Sequence, residues 1–471
     1  MSTPSQPTVA IAGGGLAGLA AACALSDAGF KVTLYERRPF LGGRASSWEH
    51  PGTSEVVDNC QHVLFRVCTN LIEFYRRIGV ENEIRWFDQM QFIEPGGRIS
   101  ILKSSSLPAP MHTAPSFFQF PFLQLADKLA ISRALVPLVL TEQRDNGKSF
   151  KQWLEAHGQT ENAIRRFWNP ILVSALSEEL DLISVSAAAQ VVRESMKSSQ
   201  AREMGVPMVP LTDLYNKSGD YIRARGGELY FRCAVESFQE SGGQVELKIG
   251  AEPGKRAFDY LVAALPFDTL DKVLPQTPES APLREKISHF ETAPITGIHM
   301  WFDRQISDLD HAVLLDRTIQ WMFHKSRLQP MRTESSNGAS PGSYIELVVS
   351  SSKTLIDKTR SEIVDLALAE VREFFPAAGE ATLVKSTVIK ELNATYSPRP
   401  GIDAHRPAMA TPWPHIFLAG DWTATGWPAT MEGAVRSGYQ AAEAIAQRAG
   451  NKNARFLSPD LSPSGLMRLF G

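Results

Sequence analysis

A chain of 471 residues exceeds what one hydrophobic core usually supports, which predicts two domains. With 48 Lys+Arg against 51 Asp+Glu, a formal net charge of -3 and no basic run, nucleic acid is excluded as a partner. The four cysteines, Cys23, Cys60, Cys68 and Cys233, form no CxxC pair; a disulfide-rich scaffold is excluded, no metal site is expected, and a reducing compartment is favoured.

In chain order, "TVAIAGGGLAGLAAACALSDAGFKVTLYERR" reads as strand, glycine turn, helix and strand, a βαβ unit. Val9 to Leu25 is apolar enough to resemble a signal peptide, yet no basic residue precedes it and Gly13 to Gly15 break its helix, so it reads as folded core. Gly13-x-Gly15-x-x-Gly18 in that setting is a dinucleotide fingerprint. Leu16 and Ala17 open the helix whose amides hold phosphates, and Glu36, with Arg37 beside it, ends the second strand where a ribose is bound.

"EVVDNCQHVLF" reads as a strand and turn, and "CTNLIEFYRRIGV" as a helix stopped by Gly79. Leu107 to Phe122 is proline-rich and aromatic, and an amphipathic helix, "LQLADKLAISRALVPLVL", follows; helical texture runs to about Gly219. Strands are expected in "GGELYFRCAVESFQE", "SGGQVELKIG", "FDYLVAALP", "SYIELVVS" and "ATLVKSTVIKELNATYS", with a helix over Leu355 to Phe375. No run reaches the roughly 18 apolar residues of a spanning helix. The fold class is therefore α/β: a Rossmann-type dinucleotide domain (1–75, 215–290 and 385–450) interleaved with an α+β substrate- and membrane-facing domain (76–214 and 291–384), then a tail (451–471).

"ERRPFLGGRASS", "IFLAGDW" and "TMEGAVRSG" together resemble the flavin-dependent amine oxidase and phytoene desaturase superfamily. The resemblance implies FAD as cofactor. Gly43 and Arg44 would lie along its pyrophosphate, the backbone of Val235 at its adenine, and Gly420 and Asp421 at its ribityl or pyrophosphate part. Thr430, Met431 and Ala434 would begin a helix facing the flavin's pyrimidine edge, where a positive helix end suits the charge of the reduced ring. "VDNCQHVL", "CTNLIEFYRRIG" and "AGDWTATGWPATMEGAVRSGYQAA" further resemble the hydroxysqualene dehydroxylase family, over most of Val9 to Ala446, with Cys60 where family members often carry glycine.

That resemblance implies reductive removal of an allylic hydroxyl from hydroxysqualene to give squalene, in hopanoid synthesis. The partners it implies are a lipophilic isoprenoid substrate, a membrane surface and other squalene-pathway enzymes. The implied location is cytoplasmic, peripheral on the inner face of the bacterial plasma membrane. His62, whose ordinary pKa lies nearest neutrality, is the candidate acid or else a structural residue. Asp58 and Gln61 stand beside it, Asp58 with a loop-pinning role as the alternative. Trp422 or Trp427 would either face an allylic cation or pack against the flavin. Phe117, Phe118, Phe120 and Phe122 with Lys128 and Arg133, and the terminal "GLMRLFG", suit a bilayer interface or, for the phenylalanines, a core. Rival readings are a carotenoid-type desaturase or isomerase, an amine oxidase, and a prenyl-binding escort protein without flavin. No nicotinamide site is recognisable, so the reductant is unknown.

Overall fold

The computed structural model describes residues 6–250, 254–329 and 342–470. Short β-branched runs make a five-stranded parallel sheet in the order Glu228–Phe231, Lys31–Glu36, Thr8–Ala12, Tyr260–Ala263, Ile416–Leu418. Val9, Ala10, Ile11 and Ala12 are all fully buried, as a strand covered on both faces requires. An antiparallel meander, Val235–Ser241, Gln244–Ile249 and Lys255–Phe258, packs on this unit.

Helix Leu16–Asp27 crosses the last long helix, Met431–Arg448. Its small side chains, Ala17, Ala20 and Ala21, permit a very close approach. A Cβ placed on Gly438 would lie 2.2 Å from the carbonyl oxygen of Ala17 and 3.0 Å from Ala20 Cβ. Glu432, fully buried, fixes the same helix from the other side: its carboxylate accepts hydrogen bonds from the backbone amides of Asn70 (3.2 Å) and Leu71 (2.8 Å), which begin helix Thr69–Arg77.

The second domain is a mixed seven-stranded sheet, Leu383–Tyr396, Thr292–Phe302, Tyr344–Ser350, Trp321–His324, His311–Leu314, Gln89–Ile93, Ile99–Lys103. Alternation gives each face its own core. Ile345, Leu347 and Val349 pack towards helix Arg360–Phe374, whereas Val348, Trp321 and Phe323 face the helical layer that includes Leu125–Leu140 and Val185–Met196.

Three expectations shift. "GGELYFRCAVESFQE" is two strands in different sheets, because Arg232 adopts φ +58° between them. "FDYLVAALP" likewise divides: Phe258 ends the meander and Tyr260 opens a parallel strand. The boundary expected at residue 385 falls inside Leu383–Tyr396, which pairs with Thr292–Phe302, so the substrate sheet runs on to Tyr396. Among the four phenylalanines, Phe117, Phe120 and Phe122 are core while Phe118 is exposed. Residues 1–5, 251–253, 330–341 and Gly471 of the expected segments lie outside the described residues.

The helix crossing yields a direct test. Gly438→Ala forces the two helices apart and is expected to lower unfolding free energy by about 1–3 kcal/mol, measured by denaturant titration.

Candidate active site

The glycine turn is sterically committed. Gly13 has φ +109°, and a Cβ there would lie 2.4 Å from Ala264 O, so only glycine fits. Gly15 is different: a Cβ would meet nothing nearer than Gly43 Cα at 3.9 Å, which leaves an open cradle in front of the amides of Leu16, Ala17 and Gly18. Glu36 is buried, with one oxygen 2.7 Å from Gly14 N and the other 2.7 Å from Arg38 N. The loop carrying Gly43 lies over the turn through Gly42 N to Gly14 O (2.9 Å), and Arg38 donates to Gly43 O at 2.8 Å.

The C-terminal segment completes this cleft. Arg44 pairs with Asp421 at 2.5 Å across 377 residues of sequence and donates to Ala394 O at 3.0 Å. Arg406 gathers the loop that follows Asp421: its guanidinium donates to the carbonyls of Asp421 (3.2 Å), Thr423 (2.6 Å) and Trp427 (2.6 Å). Gly420 N donates to Ser437 Oγ at 2.8 Å, which docks the strand end on the last helix. Thr430 caps that helix, accepting from Gly433 N at 3.1 Å. Thr430, Met431 and Ala434 are partly exposed while Glu432, Gly433 and Val435 are buried, so one face of the first turn is left open. A cleft of about 120 Å³ runs between Arg37, Arg38, Arg44, Phe267, Asp421 and Trp422. Val235 opens the meander, buried in the same cluster as Tyr35.

A cradle without side chains, two helix N-termini and three arginines form a donor set suited to a dinucleotide with an extended ring system. The chain matches the family described as Flavin containing amine oxidoreductase over residues 16–446. The chain belongs to that family. It is an FAD-dependent oxidoreductase.

Among its relatives, this flavoenzyme is 28% identical to a 15-cis-phytoene desaturase of Synechococcus elongatus, over 93% of the chain and 96% of the relative. A zeta-carotene desaturase of Synechocystis sp. is also 28% identical, over 93% and 96%. In fold, an oxidoreductase from Methanosarcina mazei superposes with TM-score 0.70 at 16% identity, covering 92% of this chain and 99% of that one. Cyclohexylamine oxidase from Brevibacterium oxydans gives 0.64 at 16%, covering 95% and 100%.

Beside the cleft, residues 58–62 cross the substrate sheet over a buried charge cluster. Lys325, only 1% exposed, donates to Asp58 Oδ2 at 2.6 Å and Gln61 Oε1 at 2.8 Å, and stands 3.4 Å from Glu346 Oε2. Asp58 Oδ1 accepts from Ser47 Oγ (2.6 Å) and Leu211 N (3.2 Å). Asp58 therefore bolts three segments together through both carboxylate oxygens. Burial, opposed by the Lys325 ammonium and reinforced by Asp58, pushes Glu346 up to about 7. His299, beneath the same cluster, is held down at about 3 by burial first and the Lys325 charge second, and its Nδ1 faces Tyr344 OH at 2.9 Å.

His62 and the two tryptophans sit in defined surroundings. Burial lowers the His62 pKa, and its Nδ1 lies 2.8 Å from Cys60 O, so the ring is a neutral imidazole with Nδ1 as donor and not a cationic acid at neutral pH. The Trp427 ring is already covered by the Arg436 guanidinium at 4.6 Å, where a second cation is disfavoured. Trp422 is packed edge-on by Phe267 and Phe290 and donates to Leu265 O at 3.0 Å. Cys60 has no positive φ, so the position does not require glycine.

Sequence reasoning missed Lys325, Glu346, His299 and Arg406. Glu346 and His299 did carry a signal, each a polar residue inside an otherwise apolar strand, "SYIELVVS" and "ITGIHMWF".

Glu346 supplies a pH test. Its folded pKa of about 7 lies above the ordinary value of 4.5, so the native state retains a proton that the unfolded chain loses in between. Stability contributed by that proton is full below the lower value and declines as pH rises towards the upper one. Glu346→Gln is expected to flatten this decline, read as unfolding free energy between pH 5 and 8.

Proposed function

We propose that this flavoenzyme removes the allylic hydroxyl of hydroxysqualene reductively, giving squalene. The observation that carries the reading is the paired wording "VDNCQH" and "DWTATGWPATMEGA": Asp421 and Trp422 of the second line the cleft, and Asn59 of the first donates to Arg44 O at 2.7 Å beside the Arg44–Asp421 pair. The phytoene and zeta-carotene desaturases among its relatives act, by their names, on isoprenoid hydrocarbons, which supports a substrate of that class. When bound, reduced FAD supplies a hydride. In balance, the carbon–oxygen bond breaks, the carbon gains hydride, and a proton converts the departing hydroxide to water. Glu346, whose pKa of about 7 leaves it partly protonated at neutrality behind Lys325, is the proton store of this cluster, which reaches Gln61 through the Lys325 ammonium.

A lipid substrate needs a route from the bilayer, and exposed apolar residues of the helical layer support a membrane contact there. Phe118, Leu125 (66% exposed), Leu129 and Val136 line one exposed apolar stretch. The C-terminal turn Gly465–Leu469 reaches the same region: Leu466 N donates to Ala109 O at 2.9 Å, Met467 is buried, and Leu469 (76% exposed) and Phe470 project. Arg133 and Arg468, both exposed, supply charge suited to anionic headgroups. No described helix is long and apolar enough to cross a membrane, so the contact is at the surface.

Carotenoid-type desaturation is the second reading, favoured by those same relatives; it runs electrons the opposite way. Anaerobic incubation of the reduced protein with hydroxysqualene in anionic vesicles is expected to yield squalene. Unchanged hydroxysqualene, with phytoene desaturated by the oxidised protein, would establish the second reading instead. In the same assay a Leu125→Asp, Leu469→Asp variant should lose about tenfold in turnover of vesicle-borne substrate and keep its turnover in detergent. Equal loss in both media would exclude the membrane contact.

A further inference from the structure

Outside the flavin cleft, one cluster of metal-ligating side chains serves no part of the chemistry above. Glu285 and His289 lie one turn apart at the C-terminal end of helix Ala281–Ser288, a spacing that puts both side chains on one face. His405 closes the short turn Ile402–His405 and stacks on His289, with ring centroids 3.6 Å apart and planes inclined by 23°. His289 Nε2 is 3.0 Å from Glu285 Oε1, and a donor atom from each of the three residues lies within 4.8 Å of the others.

The donor set selects its ion. Two imidazoles and one carboxylate from two distant chain segments match the three-protein-ligand sites of zinc, with water completing the tetrahedron. A single carboxylate is a poor offer to magnesium or calcium, which take mainly oxygen ligands. The end of a helix favours a cation through its unpaired carbonyls. Competing positive charges nearby are already engaged: Arg399 pairs with Glu291, and Arg406 with Asp403 at 3.3 Å. Ligation turns the two rings out of their stack so that each ring plane contains the ion, and the His289 and Glu285 side chains, 44% and 64% exposed, have room to do so.

We propose that Glu285, His289 and His405 form a surface site for a zinc-class divalent ion. The position gives it a consequence. His405 is followed directly by Arg406, the guanidinium that gathers the carbonyls of Asp421, Thr423 and Trp427. An ion bridging His405 to helix Ala281–Ser288 therefore braces the support of the flavin loop. The proposal stands independently of which reaction the cleft performs.

The test uses the FAD-loaded protein, freed of metal by a chelator and titrated with zinc chloride by calorimetry. One equivalent per chain is expected, with cobalt(II) giving the intense visible bands of tetrahedral coordination at the same stoichiometry. Saturating zinc is expected to raise Tm by a few degrees. Binding, spectrum and Tm shift should all be lost in His289→Ala and in His405→Ala, and zinc binding weakened in Glu285→Gln, with flavin absorbance showing that each variant is folded. Absence of saturable binding below about 100 µM zinc, or an equivalent that persists in the His289→Ala, His405→Ala double variant, would overturn the proposal.

Discussion

The close crossing of helices Leu16–Asp27 and Met431–Arg448 is the constraint on which the rest of the molecule depends. Because Gly438 has no side chain, the second helix rests against the backbone of Ala17, in the first turn of the first helix. That contact aligns segments from the two ends of the chain, and with them the open cradle at Gly15 and the open helix face at Met431 and Ala434. Two positive helix poles thereby serve one cleft. The Arg44–Asp421 pair and the Glu432 contacts to helix Thr69–Arg77 then fix the arrangement against rotation.

The second domain is joined to this frame electrostatically at a place where water is excluded. Lys325 and Glu346 come from the substrate sheet, whereas Asp58 ends the hairpin that begins at Ser47. One lysine stands between two carboxylates, and burial, with the Asp58 charge beside it, pushes the Glu346 pKa up against the pull of the Lys325 ammonium. The same cluster explains why nearby His62 and His299 remain neutral. Burial depresses both, and the Lys325 ammonium opposes a second positive charge.

Much of the frame was legible in the sequence, because glycine spacing, a strand acid and helix starts are local signals. Gly13, Gly15, Gly18 and Glu36 fall where those signals place them in one turn, and Arg44 and Asp421, which the family resemblance implied, meet at the cleft. The partner assignments of strands were less legible. Arg232 at positive φ splits one apparent strand between two sheets, and nothing local marks a lone arginine for that conformation. The surroundings of His62 and Trp427 were hidden for a different reason: burial sets the first, and the turn into the last helix brings Arg436 over the second. Lys325 illustrates the general case. A lysine after an apolar strand looks like a surface residue until the hairpin from residue 58 is folded over it.

The account stands or falls on whether the two ends of the chain hold one FAD between them. Equilibrium titration of the apoprotein with FAD, for the wild type, Gly15→Val and Ala434→Phe, tests this most directly, since a side chain at residue 15 meets open space within the protein itself. The account predicts that both variants fold and that each binds FAD at least about tenfold more weakly. Undiminished affinity in either variant would contradict it.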